Sequence, residues 1–266
     1  MLPEITALDP ASPVLRAYSC YRSLIEVAGN DLSPDEAFGG KLLYAGELDE
    51  EGRAITIAGN VAGCATLAAT TDLTDQNRAV REAIVDFFVK SLDEALRILK
   101  NEIRKHATVA VCVGVSTDDI EHDTIARGVQ PDLTRADALE KQFNVFAARN
   151  MWRVDGNPMQ ALTTVAWAVE SLPAKWLPRF DALALESLHA SDTWNRRWIE
   201  RAPRYLGRAG SSLRVVCADR QFADSFVARS RTAISQGDIN TAAVIWIASD
   251  AGSEVFNLRP AQQPSI

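Results

Sequence analysis

Thr108–Val115, reading Thr-Val-Ala-Val-Cys-Val-Gly-Val, is apolar at almost every position and shows no polar–apolar alternation. A short strand with apolar side chains on both faces must be covered from both sides, the situation of a central strand in a parallel sheet. Its flanks agree. Ser91 precedes an apolar-periodic run and Glu94 follows three residues later, an S-x-x-E capping box. Leu92, Leu96, Leu99 and Ile103 then form one helical face, with Lys100, Arg104 and Lys105 near the end where cations suit the helix dipole. Upstream, Lys41–Ala45 reads as a strand, Ala54–Gly63 as a helix, Ala65–Thr70 as a second strand and Asp86–Val89 as a third short apolar run. Downstream, Thr117–Arg127 reads as a helix closed by Gly128, and Val129–Leu133 as a last short strand. Strand–helix alternation of this kind predicts an α/β fold: a Rossmann-like parallel sheet with right-handed crossovers.

The remainder is more helical. Residues 14–28 repeat apolar side chains at helical spacing, and Gly29–Gly40, rich in Gly, Asn, Asp, Ser and Pro, reads as a loop. Ala161–Leu172 reads as a helix ahead of Pro173 and Pro178. Arg214–Ala218, Phe222–Gln236 and Ala242–Ala248 form a strand–helix–strand unit, and the tail from Asn257 is expected to fray. The organisation expected is therefore threefold. Residues 1–39 form a helix and loop packing on the last part, 40–135 a Rossmann-like domain, and 136–266 a helical segment with the strand–helix–strand unit.

Composition excludes several classes. No apolar run approaches the ~18 residues that a membrane span needs, and Met-Leu-Pro-Glu-Ile lacks the features of a secretory signal. A cytoplasmic protein is expected. The net charge of −7 repels phosphate backbones and anionic lipid, so neither nucleic acid nor membrane is an expected partner. Cys20, Cys64, Cys112 and Cys217 are widely spaced among apolar neighbours, without a C-x-x-C, and read as buried thiols; no metal site is expected. G-x-S-x-G, H-E-x-x-H and G-x-x-x-x-G-K-[ST] are all missing from the sequence.

Three places invite chemistry. The first strand-to-helix turn, Gly46-Glu-Leu-Asp-Glu-Glu-Gly52, carries Asp49, Glu50 and Glu51 between its glycines. It is either a carboxylate cluster for a cation or a solvated turn whose acids favour the next helix N-terminus. Trp194–Arg208 holds five arginines and three aromatics, suiting either an anion patch or a packed helix with a wet arginine face. His122, between Glu121 and Asp123, would move protons only if a cleft faced it.

Three stretches carry a family resemblance. Gly40-Lys-Leu-Leu-Tyr-Ala-Gly46, Ser91-Leu-Asp-Glu-Ala-Leu96 and Arg127-Gly-Val-Gln-Pro-Asp132 resemble the strand into the dinucleotide loop, the SLDEAL helix start and the RRGVxPD of urocanase. More loosely, Arg197-Trp-Ile-Glu-Arg-Ala202 through Gln236-Gly-Asp-Ile239 resembles the urocanase C-terminal core. The resemblance implies an NAD-binding domain inserted into a core domain. It also implies addition of water to urocanate, with tightly bound NAD⁺ acting as electrophile. Gly46, Gly52, Ser116 and Thr117 are the positions that match the family's NAD site.

The departures are at that site. The family's glycines and methionine fall on Leu48-Asp49-Glu50-Glu51, its closing Gln on Ala54, and its acidic ribose position on Thr70. Its GNA falls on Val115-Ser116-Thr117, its QTSAH on Asp137–Lys141, and its RDHLDSGS on Ile247–Glu254. No cysteine here matches the catalytic one, so the catalytic residues are unknown. The expectation is a shortened, divergent urocanase-like protein that has lost the NAD loop and catalytic residues and takes no cofactor unless the family's NAD site survives. It would act as a non-catalytic binding or interaction protein, as a homodimer. The alternative is a divergent lyase- or hydratase-like enzyme for an unknown small molecule, using the crevice at the strand carboxyl ends. Asp49, Glu50, Glu51, Ser116 and Asp118 are the polar candidates there.

Overall fold

The computed structural model describes residues 9, 12–28, 37–135, 152–154 and 163–260. The expected loop at 29–36 and the positions Asp137–Lys141 lie outside these. The described chain separates into two compact units.

The first unit is built on a six-stranded sheet: β1 (Leu42–Glu47), β2 (Ala65–Ala69), β3 (Phe87–Val89), β4 (Val109–Val113), β5 (Leu133–Arg135) and β6 (Trp152–Val154). The order is β3-β4-β2-β1-β5-β6 and every pairing is parallel. Most of α1 (Pro13–Ala28) belongs to this unit, with α2 (Glu50–Ala62), α3 (Leu73–Arg81), α4 (Leu92–Arg104) and α5 (Thr117–Ala126) as connections. β2 and β4 are buried at every position, as the uniformly apolar Thr108–Val115 requires. One sheet face, with Leu67, Val111 and Val113, packs against Leu92, Leu96 and Leu99 of α4 and Ile120 of α5.

Ser91 caps α4. Its hydroxyl accepts from the Glu94 N–H at 3.4 Å, while the Glu94 carboxylate accepts from the Lys90 N–H at 3.1 Å, one residue earlier than in the usual reciprocal box. Ser91→Ala should therefore cost about 1 kcal/mol. Urea denaturation checks it; an unchanged midpoint removes Ser91 as the cap.

Several boundaries differ from the sequence reading, each for a local reason. α2 begins at Glu50 and not at Ala54, because Asp49 caps it, so the end of the expected turn, Glu50 to Gly52, is the start of the helix. The last strand of the Rossmann-like stretch is Leu133–Arg135, beyond the expected Val129–Leu133, and α3 and β6 are additional elements. α3 escapes periodicity because only Gln76 and Ala79 of its residues are buried.

The second unit corrects the expected helix at Ala161–Leu172. Thr163–Val169 is strand β7, and residues 161–162 lie outside the described chain. Alanines suggested a helix, but Thr163, Thr164, Val165 and Val169 are β-branched and the strand is covered on both faces, which erases the alternation. Pro173 starts α6 (Pro173–Ser187), sitting at the first turn where its missing N–H is harmless, and Pro178 lies inside the helix. α7 (Thr193–Tyr205), β8 (Leu213–Ala218), α8 (Arg220–Ser235), β9 (Ala243–Ser249) and β10 (Gly252–Leu258) follow. The first two residues of the tail expected to fray, Asn257 and Leu258, instead end β10, paired with Val244 and Ala243 of β9, and residues 261–266 lie outside the described chain. The sheet order is β10-β9-β7-β8, antiparallel throughout, so the strand–helix–strand unit is a crossover over β7 and its strands are not neighbours. Trp167 of β7 meets Phe226 of α8 at 4.9 Å between ring centres, and Phe226 also contacts Phe180 of α6 and Phe222.

Candidate functional site at the carboxyl ends of the parallel strands

In an open parallel sheet the ligand crevice lies at the carboxyl ends of the strands, where the strand order reverses. Here the chain runs from β1 outward through β2 on one side and returns to β5 on the other, so the reversal lies between β1 and β5. β1 ends with a register shift between Tyr44 and Gly46, and Gly46 has a φ of +73°. That is a conformation glycine adopts without strain.

Asp49 caps α2, its carboxylate accepting from the Gly52 N–H at 2.8 Å. Gly52 packs directly over the end of β1: a Cβ there would lie 1.9 Å from the Glu47 carbonyl oxygen. Its missing side chain thus serves the approach of helix to strand. Arg135, the last residue of β5, reaches across the reversal point. Its guanidinium donates to Asp49 at 2.8 Å, Glu51 at 3.2 Å and the Glu47 carbonyl at 3.4 Å. Arg135 is 7% exposed. Its Cδ lies 3.5 Å from where a Gly46 Cβ would stand. Glu50 turns outward, pairing with Arg16 of α1 at 2.6 Å.

The acidic turn is therefore the start of α2, and two of its three carboxylates hold an arginine from the neighbouring strand. A dinucleotide's pyrophosphate needs free N–H groups at this helix start and open space over the glycines. Here the Gly52 N–H is held by Asp49 and the space beside Gly46 by Arg135, so these residues do not fit a pyrophosphate seated as the resemblance implies. The three acids of the turn are balanced within the protein, Asp49 and Glu51 by Arg135 and Glu50 by Arg16.

Ser116 and Thr117 stand at a different turn, after β4, with β2 between it and β1. Two strand spacings amount to about 10 Å. The Ser116 hydroxyl accepts from the Asp119 N–H at 3.2 Å and donates to the Asp119 carboxylate at 2.6 Å, so it caps α5. Asp118 sits in the first turn of the same helix. Thr70, at the expected ribose position, is fully buried and accepts from the Asp72 N–H. On the α4–α5 side, buried Tyr44 donates to Glu121 at 2.9 Å. Burial first, then the Glu121 charge, holds its phenol well above the usual range. Cys112 of β4 is pushed up to about 12 by burial and by Glu47, which leaves a thiol and not a thiolate at neutral pH. His122 is exposed on α5. Among the described residues no group of three or more His, Cys, Asp or Glu is placed to hold a metal.

The arginine- and aromatic-rich segment is a packed helix. Trp198 of α7 is buried and donates to the Val215 carbonyl at 2.9 Å, and Asn195 donates to the Cys217 carbonyl at 2.9 Å. Both carbonyls belong to β8, the edge strand of its sheet, so α7 satisfies an edge otherwise open to pairing.

Arg135 is the functional candidate that sequence reasoning missed. The signal available was a cation three residues beyond Asp132, near the end of an expected strand beside the reversal point. Among the described residues no helix is long and apolar enough to cross a membrane. Residues 19–139 match the family model of the urocanase Rossmann-like domain. That span holds β1 to β5 and the whole Gly46–Gly52–Arg135 arrangement. Over that span the chain is similar to the urocanase Rossmann-like domain.

Proposed function

We propose that this urocanase relative does not hydrate urocanate and serves as a binding or interaction protein. The observation that carries the reading is the closure of the dinucleotide crevice by Arg135 against Asp49, Glu51 and the Glu47 carbonyl. The Gly52 N–H, held by Asp49, adds to it. Cys112 also speaks against a nucleophilic cysteine at the strand ends, since its thiol stays protonated at neutral pH. All four cysteines are buried thiols, which suits a reducing cytoplasmic setting.

Two measurements test this. Purified protein incubated with urocanate and NAD⁺ should consume no more urocanate than a boiled control, followed by substrate absorbance. Calorimetric titration with NAD⁺, with and without Mg²⁺, should show no micromolar binding. Urocanate consumption overturns the proposed loss of activity, and micromolar NAD⁺ binding overturns the closed crevice.

A further inference from the structure

Two helix ends meet in the first unit, which takes in Arg204–Gly207 at the close of α7. Gly207, in the turn after α7, has a φ of +54° and packs on Glu82 at the end of α3. A Cβ there would lie 2.9 Å from the Glu82 Cβ and 3.1 Å from its carbonyl oxygen. Glycine suits both the conformation and the approach. The last turns of the two helices carry Arg78 and Arg81 on α3 and Arg204 on α7, and all three are exposed.

Cations at a helix C-terminus suit its dipole, which accounts for each arginine singly. It does not account for their meeting. Glu82 is the acid at the junction and is already shared, accepting from Arg53 at 2.7 Å and from Arg78 at 3.1 Å. Asp75 faces Arg53, whose buried Nη1 lies 3.8 Å from it without a hydrogen bond. Arg81 is anchored through Nε, which donates to the Asn77 carbonyl at 3.2 Å, and Arg204 lies over the Tyr205 ring at 5.3 Å. Among the described residues neither Arg81 nor Arg204 forms an ion pair. The junction thus holds a local excess of guanidinium on a chain whose net charge is −7.

The chemistry of these cations says what fits them. A single exposed ion pair contributes little, so a small anion gains no hold here and a partner must engage several guanidiniums at once. A nucleic-acid backbone or a lipid surface would run past the junction onto an acidic remainder that repels it. A short run of carboxylates would meet the arginines alone, and the planar guanidinium fork matches a carboxylate through two parallel bonds. We infer that the junction of α3 and α7 is a docking site for an acidic segment of another protein. The inference gives the proposed interaction role its surface and the chemistry of its partner, and it rests on that reading. Urocanate turnover would overturn the closed crevice and leave this junction untouched; failure to bind an acidic peptide would do the reverse.

Fluorescence anisotropy of labelled octaglutamate titrated with the full chain should give a Kd below about 100 µM at low salt, weakening as salt rises. Arg81→Glu and Arg204→Glu should each weaken binding about tenfold or more. Their far-UV dichroism and urea midpoints should match the parent's, because both side chains are exposed. Arg81→Lys, which keeps the charge and loses the fork, should cost less than Arg81→Glu. Arg231→Glu, exposed on α8, changes the net charge equally and should leave binding as it was. No octaglutamate binding, or equal losses in Arg81→Glu and Arg231→Glu, overturns the inference. Tighter binding of oligothymidylate or of phosphatidylserine vesicles through the same arginines overturns the acidic protein as the partner.

Discussion

Gly52→Ala is expected to destabilise the α/β unit by more than about 4 kcal/mol, enough to leave little folded protein. The new Cβ would lie 1.9 Å from the Glu47 carbonyl oxygen, 2.9 Å from its carbon and 3.3 Å from the Ala45 carbonyl oxygen. All three are backbone atoms of β1 and its end, so no flexible side chain can move aside. α2 would have to lift from the sheet, exposing Ile55, Ile57, Ala58 and Val61, all buried in the parent. Gly128 provides the contrast. Its φ is +63° but nothing lies within 4 Å of an added Cβ, so Gly128→Ala should cost only the ~1–2 kcal/mol of a left-handed residue. Thermal and urea denaturation of the pair decide the matter; equal losses would show that α2 does not sit down on Glu47.

Arg214→Met is expected to cost about 3–5 kcal/mol in the second unit at neutral to alkaline pH. Asp181 of α6 is buried. It accepts from Trp167 Nε1 at 3.2 Å and from Arg214 Nε at 3.1 Å, and Arg214 also donates to the Leu213 and Gly210 carbonyls. Removing the cation strands a buried carboxylate among Trp167 and its neighbours. Burial already outweighs the arginine, lifting the Asp181 carboxyl from 3.8 to about 6. A carboxyl with a raised folded pKa contributes stability that is present below the unfolded value and lost as pH rises through the folded one. In the parent that loss falls between about pH 4 and 6. In Arg214→Met the folded value moves higher still, so the penalty should be larger at pH 8 than at pH 5. Denaturation midpoints of both proteins at the two pH values test it. A penalty independent of pH would mean that Arg214 acts through packing and not through the Asp181 charge.

Some of this architecture was legible from short-range signals. The uniformly apolar Thr108–Val115 implied a central parallel strand, and β4 is fully buried within an all-parallel sheet. The Ser91 cap is in place because the local geometry of an N-cap needs only a hydroxyl and the next three residues. β7 was misread because its alanines mimic a helix while both its faces are covered. Periodicity, which senses one wet face, has nothing to report there.

The candidate site divides the same way. The sequence placed Gly46, Asp49, Glu51 and Gly52 at the first strand-to-helix turn, because they are adjacent along the chain and their neighbourhood is set by local geometry. It carried no statement that Arg135, more than eighty residues later, would close that turn. Only the pairing of β1 with β5 brings the two together, through the register Leu43 to Leu133 and Tyr44 to Thr134. The open side of β3 follows the same logic, since it depends on which strand ends the sheet. Local capping, burial pattern and charge order were properties of the sequence. The partner of a charge and the openness of an edge were decided by long-range strand pairing, because one register places every side chain on those strands at once.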